Sequence, residues 1–386
     1  MMQVLGMLNS TMATAAISCV VCCLIVYSQG WHGKHTLDHD LSGVQKHHAV
    51  AVPRIGGVAV IFAIVLTDFL GMWLKPNLFA LEYANSVRLL IVASLPAFFS
   101  GIIEDLTKRI SVRIRLLATI ASAVLASWLL GATVDSLDIW VVDQLLLFAP
   151  VAVLVTAFVV AGGANAINII DGFNGLAASV VAIMLLGFGI LAWRVGDELV
   201  LTLAVLGLGA ALGFLVINFP SGRIFLGDGG AYFLGFWVSE IAVLLLIRNP
   251  GISAWQVFSI CAYPVIEVLY SIYRRKIVGK TAPGAADDMH LHTLIYRYYT
   301  PRFVFKPTTS PWQRNALVTC LIVPVVGCMI WATLEFGNTI PGAMALVLLQ
   351  FSAYLKAYKR FSSGYSRLES SKLDEENVNI AKKIRP

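Results

Sequence analysis

The sequence has few charged residues and no cysteine pattern outside its apolar segments. Only 13% of the 386 residues are Asp, Glu, Lys or Arg, whereas about a quarter of the residues in a soluble domain are charged. All six cysteines lie within long apolar runs, which argues against structural disulfides and a zinc site. The low charge excludes an ordinary soluble domain.

The chain instead contains hydrophobic residues, 58% of the total, in continuous runs. A membrane-spanning helix needs about 20 mostly apolar residues. Runs of this kind lie near 5–27, 56–74, 87–103, 116–134, 145–163, 175–193, 199–218, 230–247, 252–272, 315–336 and 340–355. Because the runs do not alternate, they predict helices and not a barrel. We expect an all-α, polytopic integral membrane protein with about 11 transmembrane helices in the lipid bilayer.

The positions of the basic residues predict the orientation of these helices. Most of the 28 Lys and Arg residues lie in the connections after the odd-numbered runs and in the C-terminal tail. The positive-inside rule then places those connections and the C-terminus in the cytoplasm and the N-terminus on the periplasmic side. The net charge of +6 follows this distribution, so no nucleic-acid partner is expected.

The long runs leave no room for a separate soluble domain. We expect a single transmembrane domain over residues 1–361 and a disordered cytoplasmic tail over residues 362–386, where small polar residues precede mixed charge. Basic residues follow the first run and do not precede it, which predicts a retained anchor and not a cleaved signal peptide.

The most informative segment is NAINIIDGFNGL, at the end of the fifth run. Asn165, Asn168, Asp171 and Asn174 recur every third residue, and residues three apart share a helix face. A helix terminus rich in capping residues is the simpler interpretation. Polar clusters at membrane helices are usually functional, so the sequence favours a binding site.

A second segment, GRIFLGDGGAY, places Asp228 among four glycines before the eighth run. Free backbone N–H groups at a helix start favour a phosphate. Asp228 is expected to hold Mg²⁺, which binds through one or two carboxylates together with substrate phosphates. An N-capping role is the alternative for this residue.

Other polar residues follow odd-numbered runs and are therefore expected at the same membrane face. They are Glu104, Asp105, Lys108, Arg115, Asn218, His290 and His292, with a basic loop that contains Lys46, His48 and Arg54. Acidic groups that converge beside basic ones suit a divalent cation and a phosphate ligand. The two histidines fit an irregular loop that gives protons or hydrogen bonds to a phosphate. Glu267, in the ninth run, either lines the site or pairs with an Arg, and we expect the second.

Four separated motifs resemble the polyprenyl-phosphate N-acetylhexosamine-1-phosphate transferase family: KHHAVAVPRIGG, GIIEDLTKR, NAINIIDGFNGLA, and NFPSGRIFLGDGG followed by HLH. The resemblance implies ten or eleven helices in the bacterial inner membrane, with a site on the cytoplasmic side. It implies transfer of N-acetylhexosamine 1-phosphate from a UDP-N-acetylhexosamine to undecaprenyl phosphate, which releases UMP and starts cell-surface polysaccharide synthesis. Mg²⁺ is the implied cofactor, with Mn²⁺ as an alternative. Whether the protein forms a homodimer is left open by the sequence.

The resemblance also assigns roles to individual acids. Asp228 corresponds to a magnesium-binding Asp. Asp105, beside Glu104, corresponds to the second of two paired acids in catalysis or metal binding. Asp171 belongs to the nucleotide and phosphate site, and the sequence does not decide whether Asp105 or Asp171 accepts a proton.

The remaining motif residues are assigned to substrate binding. Asn218 and Phe225 correspond to a nucleotide-binding Asn and to the aromatic residue that packs on uracil. Lys108 and Arg115 correspond to phosphate-neutralising bases. The other substrate-binding candidates are Asn168, Gly172, Asn174, Lys46, His48, Arg54, His290 and His292.

The chain departs from the family pattern at a few positions. Glu104 and Asn174 stand where Asp is common, Thr293 stands where a third His is typical, and Ala51 stands where Pro is frequent. None of these changes affects the three main acids, so we expect an active enzyme. A membrane transporter for a phosphorylated or nucleotide-linked solute is the alternative, but it would place polar groups near the bilayer midplane.

Overall fold

The computed structural model describes residues 2–38, 51–74, 83–278, 287, 289–299 and 311–384, and within these ranges it contains helices and no strands. The helices are α1 (Met2–Tyr27), α2 (Gln29–Thr36), α3 (Gly56–Leu74), α4 (Ala84–Thr107), α5 (Val112–Leu130), α6 (Trp140–Leu146), α7 (Ala149–Ile170), α8 (Leu176–Val195), α9 (Glu198–Asn218), α10 (Gly227–Arg248), α11 (Ala254–Tyr273), α12 (Leu291–Leu294), α13 (Pro311–Phe336) and α14 (Ile340–Ile384). Two π-helical segments, Arg274–Val278 and Ile295–Tyr299, extend α11 and α12.

The expectation of an all-α, polytopic membrane protein is confirmed. In the described residues, ten helices are long and apolar enough to cross a membrane, and α3 adds a shorter apolar stretch, Gly56–Gly71. The bounds of α3 agree with the sequence prediction. The fifth predicted span was placed too early, because Pro150 starts a new helix at α7 and that helix continues to Ile170.

Helix α10 lies at the centre of the bundle and packs against α3, α4, α5, α7, α8 and α9. Most of its buried residues are apolar, and Phe233, Phe236 and Trp237 are fully buried. Glycines bring two neighbours close to its first turn. A Cβ on Gly57 would lie 2.3 Å from the backbone of Gly230, and one on Gly101 would lie 2.5 Å from the backbone nitrogen of Gly229. Side chains at these positions would push α3 and α4 away from the start of α10.

Helix α14 continues to Ile384, whereas the sequence analysis expected a disordered extension from residue 362. Residues 365–384 contain no Gly or Pro and several strong helix formers such as Leu, Glu, Lys and Ala, which favours continuation of the helix.

Candidate active site

A cavity of about 430 Å³ opens at one end of the bundle. It lies where α7 and α9 end and where α5, α10 and α13 begin, beside the segment that leads into α12. Its lining residues are Asp38, Arg54, Arg115, Asn168, Ile169, Asp171, Gly172, Phe173, Asn174, Asn218, Phe225, Leu226, Gly227, Asp228, Asp287, His290, His292, Thr293 and Asn315. Eleven residues proposed from the sequence therefore meet around one space.

Asp105 organises the start of α10 from the neighbouring helix α4. Its carboxylate oxygens accept hydrogen bonds from the backbone N–H groups of Asp228 (3.0 Å) and Gly229 (2.9 Å). Gly227 precedes them with a φ of +74°, a left-handed conformation that glycine adopts without strain. Asp105 thus caps a helix that is distant in sequence, and it fixes the backbone from which Asp228 projects.

Asp228 faces the cavity and is surrounded by hydrogen-bond donors. The side-chain amide of Asn168 donates to its Oδ1 at 3.2 Å, and the guanidinium of Arg54 lies 3.6 Å from the same oxygen. Arg115 forms an ion pair with Oδ2, and its guanidinium carbon lies 5.8 Å from the centre of the Tyr232 ring. Two cations therefore converge on one carboxylate at the cavity wall.

Arg54 contacts three acidic residues from different parts of the chain. Its guanidinium nitrogens lie 3.6 Å from Asp38, 3.4 Å from Asp105 and 3.6 Å from Asp228. Backbone hydrogen bonds hold this segment in place. The N–H of Arg54 donates to Thr36 at 2.9 Å, and the N–H of Phe225 donates to Pro53 at 2.8 Å.

Asp171 stands at the C-terminal end of α7. Part of the residue is exposed at the cavity, but its carboxyl is enclosed by protein, and this burial raises the pKa of Asp171 well above its usual range. Arg54 opposes this rise and Asp105 adds to it. Gly172, the next residue, is exposed.

Two asparagines tie the cavity wall together. Asn218 accepts a hydrogen bond from the N–H of Gly175 at 2.5 Å and donates to the carbonyl of Ile224 at 2.6 Å. The side-chain amide of Asn174 donates to the carbonyl of Pro220 at 2.9 Å, and its backbone N–H donates to Asn315 at 2.6 Å. Both side chains line the cavity and also fix the turn between α9 and α10. Phe225 is partly exposed in the same wall.

His290 and His292 lie side by side, with ring centres 5.2 Å apart and planes inclined by 10°. Nδ1 of His290 is 3.1 Å from Glu267 in α11, and Nε2 is 3.5 Å from Asp287. Although burial alone would raise the pKa of Asp287, hydrogen bonds from Ser271 and Arg274 lower it to about 2. The expected pairing of Glu267 with an Arg is not the contact observed, because its carboxylate contacts the two histidines.

Besides Asp105, two described sequence candidates lie outside the cavity lining. Glu104 accepts a hydrogen bond from the backbone N–H of Ile110 at 2.6 Å, so its carboxylate closes the loop between α4 and α5. Lys108 is exposed at the end of α4 with a φ of +57°. Lys46 and His48 lie outside the described residues.

Some lining residues had no sequence signal that singled them out. Asp38 follows α2 in a polar stretch of the sequence, and Asn315 lies near the start of α13. Neither residue lies within one of the recognised motifs. Only the folded chain brings Asp38 to Arg54 and Asn315 to Asn174.

The donor groups at the cavity fit a magnesium ion that is completed by substrate. No cluster of three or more His, Cys, Asp or Glu side chains with metal-binding geometry is present in the part of the chain that the structure describes. The described residues therefore form no closed set of protein ligands around a metal ion. Mg²⁺ commonly binds through one or two carboxylates together with substrate phosphates, and the partly exposed carboxylate of Asp228 meets that requirement.

Comparisons with known proteins identify the family of the chain. The family described as "Glycosyl transferase family 4" matches residues 87–246. The chain is 26% identical over 329 residues to a probable undecaprenyl-phosphate N-acetylglucosaminyl 1-phosphate transferase of Bacillus subtilis. This match covers 82% of this chain and 87% of the relative. It is 31% identical to the phospho-N-acetylmuramoyl-pentapeptide-transferase of Geobacillus kaustophilus, over 63% of this chain and 75% of the relative. It is 28% identical to the decaprenyl-phosphate N-acetylglucosaminephosphotransferase of Mycobacterium tuberculosis, over 64% of this chain and 65% of the relative. These relatives show that the chain belongs to glycosyl transferase family 4, the family of polyprenyl-phosphate N-acetylhexosamine-1-phosphate transferases.

Proposed function

We propose that this protein transfers N-acetylhexosamine 1-phosphate from a UDP-N-acetylhexosamine to undecaprenyl phosphate, releases UMP, and so starts the synthesis of a cell-surface polysaccharide such as O-antigen or a cell-wall polymer. The observation that carries the proposal is the convergence of Arg54 and Arg115 on Asp228 at a cavity in the end of a membrane bundle. The names of the relatives, which act on polyprenyl phosphates, support it.

The chemistry explains why two arginines face one carboxylate. The phosphate of the lipid and the diphosphate of the donor are both anions, so their approach must be stabilised by positive charge and fixed geometry. Guanidinium groups bind phosphate through two parallel hydrogen bonds. When substrates enter, Arg54 and Arg115 exchange part of their contact with Asp228 for phosphate oxygens, and the cavity holds the reacting groups in line.

The two other acidic residues, Asp105 and Asp171, have different roles. Asp105 is committed to the backbone of α10, and it is absent from the cavity lining, whereas Asp171 lines the cavity. Asp171 is therefore the better candidate to accept the residual proton of the lipid phosphate. Its neighbours Gly172 and Asn174, with Asn218 and Phe225, form the wall against which we place the nucleotide.

We further propose Mg²⁺ as the cofactor, held by Asp228 and substrate phosphates, with Mn²⁺ as an alternative. When bound, the ion would neutralise charge on the transferred phosphate. The distribution of Lys and Arg supports a cytoplasmic site in the bacterial inner membrane. A lipid acceptor also accounts for a site at the membrane surface, because the acceptor's phosphate lies in the headgroup layer.

The proposal is tested with purified protein in lipid nanodiscs that contain undecaprenyl phosphate. With Mg²⁺ present, we expect one or more members of a panel of UDP-N-acetylhexosamines to yield UMP. Asp228→Asn, which keeps the size of the side chain, is expected to abolish UMP release while thermal unfolding and detergent elution remain normal. Release of UDP, or no nucleotide product from any panel member, would contradict the proposal.

Nothing in the comparisons supports the transporter alternative. The relatives described above are named transferases. A transporter site would also be expected near the bilayer midplane on interrupted helices, whereas the cavity residues lie at helix ends.

A further inference from the structure

Glu267 contacts the segment that contains His290 and His292, although it lies in α11 and not in the cavity wall. Its Oε1 accepts hydrogen bonds from the backbone N–H of Leu291 and from the hydroxyl of Tyr354, both at 3.0 Å. The same oxygen lies 3.1 Å from Nδ1 of His290. Its Oε2 lies 3.9 Å from Nδ1 of His292. One buried carboxylate thus connects α11, α14 and both histidines.

The two histidines are placed differently with respect to the cavity. His290 has a carboxylate at each ring nitrogen, Glu267 at Nδ1 and Asp287 at Nε2. Glu267 lies on the Nδ1 side of His292, beyond hydrogen-bond distance of that nitrogen. Nε2 of His292 points towards Gly172, where a built Cβ would lie 3.8 Å from that nitrogen. His292 therefore directs a ring nitrogen to the exposed backbone that follows Asp171.

We propose that Glu267 is a positioning residue that acts through His292. It orients the ring with Nδ1 towards the bundle and stabilises the imidazolium form, so that Nε2–H donates to an anionic oxygen of the substrate beside Gly172. This inference rests on the proposed function, because the anion is a phosphate of one of its substrates.

The physical argument starts from the cost of burial. Glu267 is 1% exposed, and a buried carboxylate persists only when charges and hydrogen bonds compensate for lost water. Oε2 of Glu267 lies 3.9 Å from Nδ1 of His292, too far for a hydrogen bond, so the carboxylate acts on this ring through its charge. An opposite charge within about 4–6 Å also favours the charged form. This attraction holds Nδ1 on the side of Glu267 and leaves Nε2–H of His292 as the donor on the cavity side.

Several other charged or hydroxyl groups lie near His292 or Glu267. The ring of His290 stacks against His292, and Asp287 contacts His290. Tyr354 of α14 and Tyr263 of α11 are neutral hydroxyl groups near Glu267. The charged residues across the cavity are Arg54, Arg115, Asp171 and Asp228. Among the acidic residues named in this subsection, Glu267 lies on the Nδ1 side of His292.

Glu267→Gln tests this role without a change in size. The amide retains an oxygen for Leu291 N–H and the Tyr354 hydroxyl, so folding should be kept. Loss of the charge removes the counter-ion of the imidazolium. We expect the alkaline limb of the pH–rate profile to move to lower pH by about one to three units, and KM for the UDP-sugar to rise.

The chain offers a matched control in Glu240. This residue of α10 is also fully buried, and its carboxylate oxygens have no hydrogen-bond partner among the described residues. It lies twelve residues beyond Asp228, roughly 18 Å along the helix. Glu240→Gln should leave the pH–rate profile unchanged.

A double-mutant cycle separates action through His292 from a general structural effect. In a His292→Gln background, Glu267→Gln should have no further effect on the pH limb. In a His290→Gln background its effect should persist. An equal shift in both backgrounds would overturn the inference.

A second measurement does not depend on turnover. In protein labelled with ¹⁵N-histidine, the ring signals that His292→Gln removes report the protonation of His292. In Glu267→Gln these signals should titrate at lower pH than in the wild type and in Glu240→Gln. If the wild type uses no UDP-sugar, the proposed function fails, yet this titration still decides the link. Unchanged His292 signals in Glu267→Gln would refute it.

Discussion

The carboxylate of Asp105 accepts a hydrogen bond from the backbone N–H of Asp228 at 3.0 Å, across two helices that are far apart in sequence. The acid of the GIIEDLTKR motif therefore shapes the GDGG turn directly. Its second oxygen takes the N–H of Gly229 at 2.9 Å, which leaves Asp105 a positioning role at the start of α10.

Asp105→Asn should lower both stability and activity. The amide NH₂ cannot accept a hydrogen bond, so one buried backbone N–H loses its acceptor at a cost of about 1–3 kcal/mol. Displacement of Asp228 by about 1 Å would reduce kcat about a hundredfold. Thermal unfolding and UMP release measure the two effects. A normal melting temperature together with lost activity would indicate a direct chemical role for Asp105 instead.

Arg115→Gln should reduce kcat/KM about ten- to a hundredfold, because a charge-assisted hydrogen bond is worth about 1.5–3 kcal/mol. Arg115→Lys should recover only part of this loss, since an ammonium group lacks the planar fork that matches a phosphate. Arg113 is exposed on the same helix two residues earlier, so Arg113→Gln is the control and should retain activity. Equal losses in both glutamine variants would mean that only the general positive charge of the loop matters.

Asp171→Asn should abolish turnover and still stabilise the fold at neutral pH. Burial raises the pKa of Asp171 in the folded protein, whereas an unfolded Asp has a pKa of about 3.9. The stability contributed by this group is therefore present below pH about 4 and is lost as the pH rises through the folded pKa. The gain in melting temperature for the variant should be largest at pH 7 and should shrink towards pH 4.

Asp197→Asn should change stability at neutral pH in the direction opposite to Asp171→Asn. Burial alone would raise the pKa of Asp197, but hydrogen bonds from Arg248 and Asn249 lower it. Its contribution to stability is present above pH about 4 and is lost as the pH falls through the lowered pKa. This variant should be less stable than wild type at pH 7. If both variants shift the melting temperature in the same direction, burial of charge does not explain the behaviour of Asp171.

The sequence predicted the convergence of polar residues at one end of the bundle, because each motif stands where a predicted span ends or begins. It could not predict how Asp105 is used, since the partner is a backbone N–H 123 residues away. Nor could it predict the contact between Glu267 and His290. A carboxylate inside an apolar run has no pattern that names its partner, and only the packing of α11 against the loop decides it.

The orientation of the bundle is tested by cysteine labelling on intact cells. Arg109, after α4, and Asp135, after α5, are both exposed and lie on opposite predicted sides. A membrane-impermeant maleimide should label Asp135→Cys from outside and should label Arg109→Cys only after permeabilisation. Unsubstituted protein controls for the native cysteines. Labelling of Arg109→Cys in intact cells would place the cavity outside the cytoplasm.

The most direct test of the central claim follows the donor's β-phosphate during turnover. Purified protein is given undecaprenyl phosphate, Mg²⁺ and the UDP-N-acetylhexosamine that it accepts, labelled with ³²P at the β-phosphate. We expect the label in the lipid fraction and unlabelled UMP in the water phase, with neither formed by Asp228→Asn. Label that remains in water as UDP would mean that the sugar moves without its phosphate, and that result would contradict the account.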